Sequence, residues 1–171
     1  MAFAYCLRFD QGTEDAIGAL WQDLVAGGGG SDMLELGYAP HLTLATLDDA
    51  PPQPVLEAAF DAVSDLPAFD VRLGGINCFA DSAIVWLAVA GAPALAALHE
   101  RLLSRLPGPL VREHYRTGQW TPHVTLQMRG DAEVAIALAR AAWPRAVNAQ
   151  VVALDLVQFP PVTVLRSERL T

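Results

Sequence analysis

The chain has 171 residues, 53% hydrophobic and 18% charged, which suits one folded domain with its own core and excludes a disordered segment. Its net charge is −8, with eleven arginines scattered along it and no lysine. That balance argues against a long basic groove for a nucleic-acid backbone.

In chain order, residues 2–8 (AFAYCLR) form an expected strand. Arg8 and Asp10 make the start unlike a secretory signal. Residues 13–25 carry Ile17, Leu20, Trp21 and Leu24 at helical spacing. The run VAGGGGSD (25–32) lacks the Lys-Ser/Thr ending of a phosphate loop and is expected to be a flexible connection. A strand follows at YAPHLTLA (38–45). A helix over 53–65 has its stripe on Leu56, Ala59, Phe60 and Val63. In the strand 69–79, Gly74-Gly75 predicts a bulge or a close backbone approach. AIVWLAVAG is apolar throughout and predicts a strand buried on both faces. Leu95, Leu98, Leu102 and Leu106 stripe a helix over 93–106, with Pro93 in its first turn. A polar loop, 111–120, leads into the strand WTPHVTLQ (120–127). Val134, Leu138 and Ala141 mark a helix over 132–142, with Asp131 as its N-cap. Strands at 151–161 and 162–170 close the chain. No apolar run approaches the roughly 20 residues of a membrane span. The expected setting is the cytoplasm, with Cys6 and Cys78 as reduced core thiols.

The two motif strands repeat one another. Tyr38-x-Pro-His41-Leu-Thr43-Leu and Trp120-x-Pro-His123-Val-Thr125-Leu lie 82 positions apart. At that shift, 2–8 falls on 84–90 and 69–79 falls on 151–161. The expected organisation is a single domain, 1–171, of two lobes with approximate repeats 2–79 and 84–161.

Side chains alternate along a strand, so His41 and Thr43 share a face, with Cα atoms roughly 6.5 Å apart. Leu42 and Leu44 turn to the core, and the second motif repeats the pattern. Two such strands could face two imidazoles and two hydroxyls into one cleft. That set suits in-line displacement at phosphorus. One neutral imidazole takes the proton of the attacking oxygen, and the other, protonated, gives one to the leaving oxygen. The threonines would hold the non-bridging oxygens. Either histidine alone is more often a packed or surface residue than a catalyst; the duplication of type, spacing and flanks favours catalysis by the pair.

The doubled Pro-His-x-Thr-Leu motif, with its strand–helix repeat, resembles the two-histidine (2H) phosphoesterase superfamily over about residues 2–170. That superfamily includes the 2′-5′ RNA ligase proteins and the cyclic nucleotide phosphodiesterases. The resemblance implies an α+β fold: bilobed, two antiparallel sheets with outer helices related by a pseudo-twofold axis, and an active-site cleft between the lobes. It implies catalytic roles for His41, Thr43, His123 and Thr125. The implied activity is hydrolysis of a 2′,3′-cyclic phosphate or related phosphodiester on a nucleotide, a short RNA end or a nucleotide-derived metabolite, with no metal and no cofactor. ATP-independent 2′-5′ ligation is the same chemistry in reverse. A nucleotide-binding module without turnover is the rival, and a purely structural partner protein is a third reading. The sequence departs from the ligase type after the first motif, where Thr46, Asp48 and Asp49 stand in place of an aromatic and a glycine. The branch it resembles is a small, divergent bacterial one.

Other residues are candidates beside the motifs. Tyr38 and Trp120 either pack at the strand entrances or stack on a nucleobase. The loop with Arg112, His114, Tyr115 and Arg116 is either a substrate-contacting lid or a solvated connection. Arg116 is a candidate ligand there. Arg129 extends the alternation His123, Thr125, Gln127 and could reach phosphate. Arg8 and Arg72 lie on strands that could line the cleft, and His99, in the helix 93–106, is expected to sit at the edge of its apolar stripe and not to act as a ligand. No obligate protein partner and no membrane contact is inferred.

Overall fold

The first strand, β1 (Ala2–Phe9), stops at Asp10, whose carboxylate accepts from the Thr13 N–H and caps α1 (Gln11–Ala26). In α1, Ile17, Leu20, Trp21 and Leu24 are buried, as their spacing predicts. The structure is a computed structural model that describes residues 1–91 and 93–171. Its further elements are α2 (Asp32–Glu35), β2 (His41–Leu47), α3 (Gln53–Asp61), β3 (Phe69–Cys78), β4 (Val85–Ala90), α4 (Pro93–Leu103), β5 (His123–Gln127), α5 (Ala132–Ala142), β6 (Val147–Phe159) and β7 (Thr163–Arg169).

The strands pair antiparallel in the order β2-β1-β6-β3-β4-β5, with β7 on β6. The order is a palindrome once β2 is matched with β5, β1 with β4, and β6 with β3. Thirteen-residue β6 joins the two expected sheets, since its start pairs with β3 and the rest with β1. The sheet curls strongly, so that Cα atoms of its two ends, β2 and β5, come within 8 Å of each other. Helices α1, α4 and α5 cover the apolar side, over a core that includes Tyr5, Leu7, Leu42, Leu44, Leu87, Val124 and Leu126.

Three local expectations change. The glycine run is pinned rather than flexible: Gly29 N–H donates to Leu24 O, and Gly30 N–H donates to Gln127 Oε1 at 2.7 Å. In α5 the stripe is turned by one residue. Ala135 and Ala139 are buried and Ala141 is exposed, because small residues let α5 approach α1, where a Cβ on Gly27 would lie 2.5 Å from Leu138 Cδ1. The repeat also slips. The motif strands match at 82, but Trp86 takes the place of Cys6, an offset of 80. Gly74-Gly75 behaves as expected: β3 shifts register there, and Gly75 has φ +77°.

Candidate active site

Both motif strands are held the same way. Arg8 pairs with His41 and Cys6 with Thr43; Ala88 pairs with His123 and Trp86 with Thr125. Each ladder then bulges immediately beyond the threonine, between Tyr5 and Cys6 in one half and between Val85 and Trp86 in the other. An indole N–H donates to the carbonyl of each motif threonine: Trp120 Nε1 to Thr43 O at 3.0 Å, and Trp21 Nε1 to Thr125 O at 3.2 Å. The threonine backbones are thus locked while the hydroxyls stay on the cleft side.

The imidazoles are locked in matching tautomers. His41 Nδ1 lies 2.9 Å from Ala39 O, and His123 Nδ1 lies 2.7 Å from Thr121 O. A carbonyl can only accept, so each Nδ1 carries the hydrogen and each Nε2 is left for chemistry. His41, Thr43, His123 and Thr125 line one inner chamber of about 230 Å³. An outer chamber of about 490 Å³ opens beside it and includes Phe79, His114, Gln119 and Trp120. Arg112, Tyr115, His123, Thr125 and Met128 line both.

The supporting residues differ between halves. Behind His41, Asp155 is buried and accepts from Tyr38 Oη at 2.7 Å, Arg8 Nη1 at 3.1 Å and Ser167 Oγ at 2.5 Å. Arg8 also makes a bidentate pair with Glu14, at 2.7 and 2.8 Å. The Tyr38 ring lies 4.8 Å from the His41 ring. Around His123 the neighbours are aromatic: Phe79 edge-on at 5.1 Å and Trp86 at 5.8 Å. Burial lowers the His41 pKa to about 4, with Arg8 and His123 also disfavouring its cation. His123 is lowered too, by burial first and then by His114.

The peripheral candidates separate. Tyr38 lines the inner chamber, with its ring and hydroxyl engaged by His41, Arg8 and Asp155. Trp120 lines the outer chamber, with one face stacked on buried His99 at 3.8 Å. Arg116 lines neither chamber; its Nε donates to Val111 O at 3.1 Å and holds the loop. Arg129 also lies outside, exposed, 3.7 Å from Glu35. The bulge is the reason: one extra residue inverts the alternation, so Gln127 is buried and Met128 takes the cleft position. Thr46 takes the same place in the first half. Arg72 is exposed on β3.

Arg112 reaches the cleft with Nε and Nη2 held on Asp48 Oδ1, at 2.9 and 2.7 Å. Asp48 is therefore a counter-charge to a cleft-lining arginine. Only the join of β2 to the loop, through the Leu47–Val111 bridge, reveals this. The Tyr115 phenol, from the same loop, lies against the hydroxyls of Thr43 and Thr46. Both cysteines are free thiols; burial pushes the Cys6 thiol up to about 12. Among the described residues, no group of three His, Cys, Asp or Glu is placed to hold a metal ion. No helix among them is long and apolar enough to cross a membrane.

The profile of the 2′-5′ RNA ligase superfamily matches residues 13–160. The chain belongs to the 2′-5′ RNA ligase superfamily. The two-histidine phosphoesterase resemblance read from the motifs is thereby borne out. Solved structures share the fold over 96–99% of the chain. TT0787 of Thermus thermophilus is 21% identical with a TM-score of 0.66, covering 99% of this chain and 98% of that one. E. coli LigT, in a complex with 3′-AMP, is 17% identical with a TM-score of 0.65, covering 99% and 97%. Usb1 of Kluyveromyces marxianus is 16% identical with a TM-score of 0.51, covering 96% of each. LigT has also been solved with ATP, NADP+ and phosphate. No curated protein sequence matches the chain.

Proposed function

We propose that this protein is a phosphoesterase that opens a 2′,3′-cyclic phosphate, or a related phosphodiester, on a nucleotide or short RNA end. It works as one domain of two repeat-related lobes. The observation that carries the reading is the shared inner chamber, into which both halves bring a histidine with a free Nε2 and a threonine. Binding alone has no use for a paired acid and base, which weighs against a module without turnover. The nucleotides bound by LigT support a nucleotide-sized ligand.

The asymmetry between the halves favours one assignment of roles: His41, whose cation is disfavoured by burial and by Arg8, is the base, and His123 in its aromatic surround is the acid. His41 Nε2 takes the proton of the attacking water. His123 Nε2–H gives one to the leaving ribose oxygen on the opposite side of phosphorus. Thr43 and Thr125 hold the non-bridging oxygens as charge builds there. The chain's own residues supply every proton transfer in this scheme. Ligation is the reverse step with a ribonucleotide hydroxyl as nucleophile, and the net charge of −8 disfavours it.

The test is a panel of 2′,3′-cyclic nucleotides assayed in excess EDTA. Turnover to a single monoester isomer is expected. Nucleotide binding without turnover would leave the binding module as the better account.

A further inference from the structure

Beyond His41 the inner chamber has an apolar wall. Met33, Leu36, Val157, Phe159 and Val162 close it, on the β1–β6 wing of the sheet. Among the described residues lining it, Arg112 is the one cation besides the histidines, and it is tied to Asp48. Arg8 lies outside the lining, saturated by Glu14 and Asp155. A phosphate placed in this wing would exchange water for an apolar wall without a counter-charge, a costly transfer. The volume is also restrictive, because about 230 Å³ must hold the phosphoryl group as well. The outer chamber, at about 490 Å³ and edged by Phe79 and Trp120, has room for a nucleoside on the His123 side.

We propose that the inner chamber is an acceptor subsite for a compact uncharged alcohol, and that the enzyme transfers its nucleotidyl phosphate to such an alcohol as well as to water. The proposal rests on the phosphoesterase reading above and names the second substrate of that same site. The alcohol oxygen attacks phosphorus and its proton passes to His41 Nε2. The opposite bond from phosphorus to the ribose oxygen breaks, and that oxygen takes the proton of His123 Nε2. The product is a nucleoside alkyl phosphodiester, and solvent returns both histidines to their starting states. A nucleotide acceptor, with its own phosphates, has no place in the apolar wing.

The test is product partition on a 2′,3′-cyclic nucleotide with 1-propanol or glycerol at equal molarity. Propyl ester, glyceryl ester and monoester are measured by phosphorus NMR and normalised to the same reaction catalysed by free imidazole. The normalised propyl transfer should exceed glyceryl transfer by about tenfold, the scale of discrimination an apolar pocket achieves. Val162→Asp, with Leu36→Gln as a second variant, should bring the two alcohols to parity. The ratio is internal to each reaction, so a change in overall rate leaves it readable. Esters in the imidazole ratio, an unchanged ratio in both variants, or preferential joining of a 5′-hydroxyl dinucleotide would overturn the proposal. Loss of the monoester together with both esters would overturn the phosphoesterase reading itself, and this inference with it.

Discussion

The two halves of the molecule perform the same backbone manoeuvre and surround it with different chemistry. In each, a histidine and a threonine face the cleft, a bulge follows, and an indole N–H fixes the threonine carbonyl. Opposite those residues, Arg8 and Cys6 in one half correspond to Ala88 and Trp86 in the other. On the next strand, Asp155 beside Cys6 corresponds to Asn77 beside Trp86. One imidazole therefore rests on a charged, hydrogen-bonded network and the other in an aromatic surround. The two halves present the same pair of side chains, and in the proposed scheme their different neighbours make one the base and the other the acid.

The comparison breaks most completely when either tool is removed. His41→Ala and His123→Ala should each lower turnover of a cyclic nucleotide by about 10²–10⁴. The double variant should fall little further, because the pair acts as a unit. Single-turnover rates check this, and a single variant retaining wild-type rate would sink the scheme.

Next in size is the network behind His41. Asp155→Asn leaves Arg8 with one carboxylate in place of two and should cost about 2–3 kcal/mol of stability in urea unfolding. Asn77→Ala, at the corresponding position, is exposed and should cost well under that.

The pH profile sharpens the comparison further. The rate of the wild type should be bell-shaped and centred on the acid side of neutrality, with the rising limb belonging to His41. Arg8→Met removes a cation that lowers the His41 pKa, so that limb should move up from about 4 toward the ordinary histidine value. Linkage gives the matching stability trend. The unfolded chain binds the His41 proton more readily than the fold does, so this stability is fully present above about pH 6.5 and is lost as pH falls through about 4. A rising limb unmoved in Arg8→Met would show that the arginine does not tune the base.

The smallest effect concerns the cleft rim. Asp48→Asn frees Arg112 and should lower KM for an anionic substrate by at most about fivefold, since the pair is largely exposed. A raised KM would mean that Asp48 itself contacts substrate.

The histidine–threonine quartet and most helix stripes were legible because they depend on periodicity within one element. Ile17, Leu20, Trp21 and Leu24 declare a buried face without reference to any other segment, and the repeat made His41 and His123 mutually informative. Arg129 was misplaced by the same logic. Strict alternation carried the cleft face past Thr125 to residue 129, whereas the bulge hands it to Met128. A bulge is a property of two paired strands, and the sequence shows only one at a time. Likewise Asp155 stands 117 positions from Tyr38, so nothing local links it to His41. The same limit hid the two-residue slip between β1 and β4.

The last strand of each repeat lies in the opposite wing. β6 flanks β1, while β3 flanks β4, so neither half of the chain contains the inner neighbour its own first strand requires. A polypeptide severed in the 79–84 turn would yield two pieces, each with a naked β edge that only the other can cover. Fragment complementation, and not independent refolding, is the behaviour this topology demands.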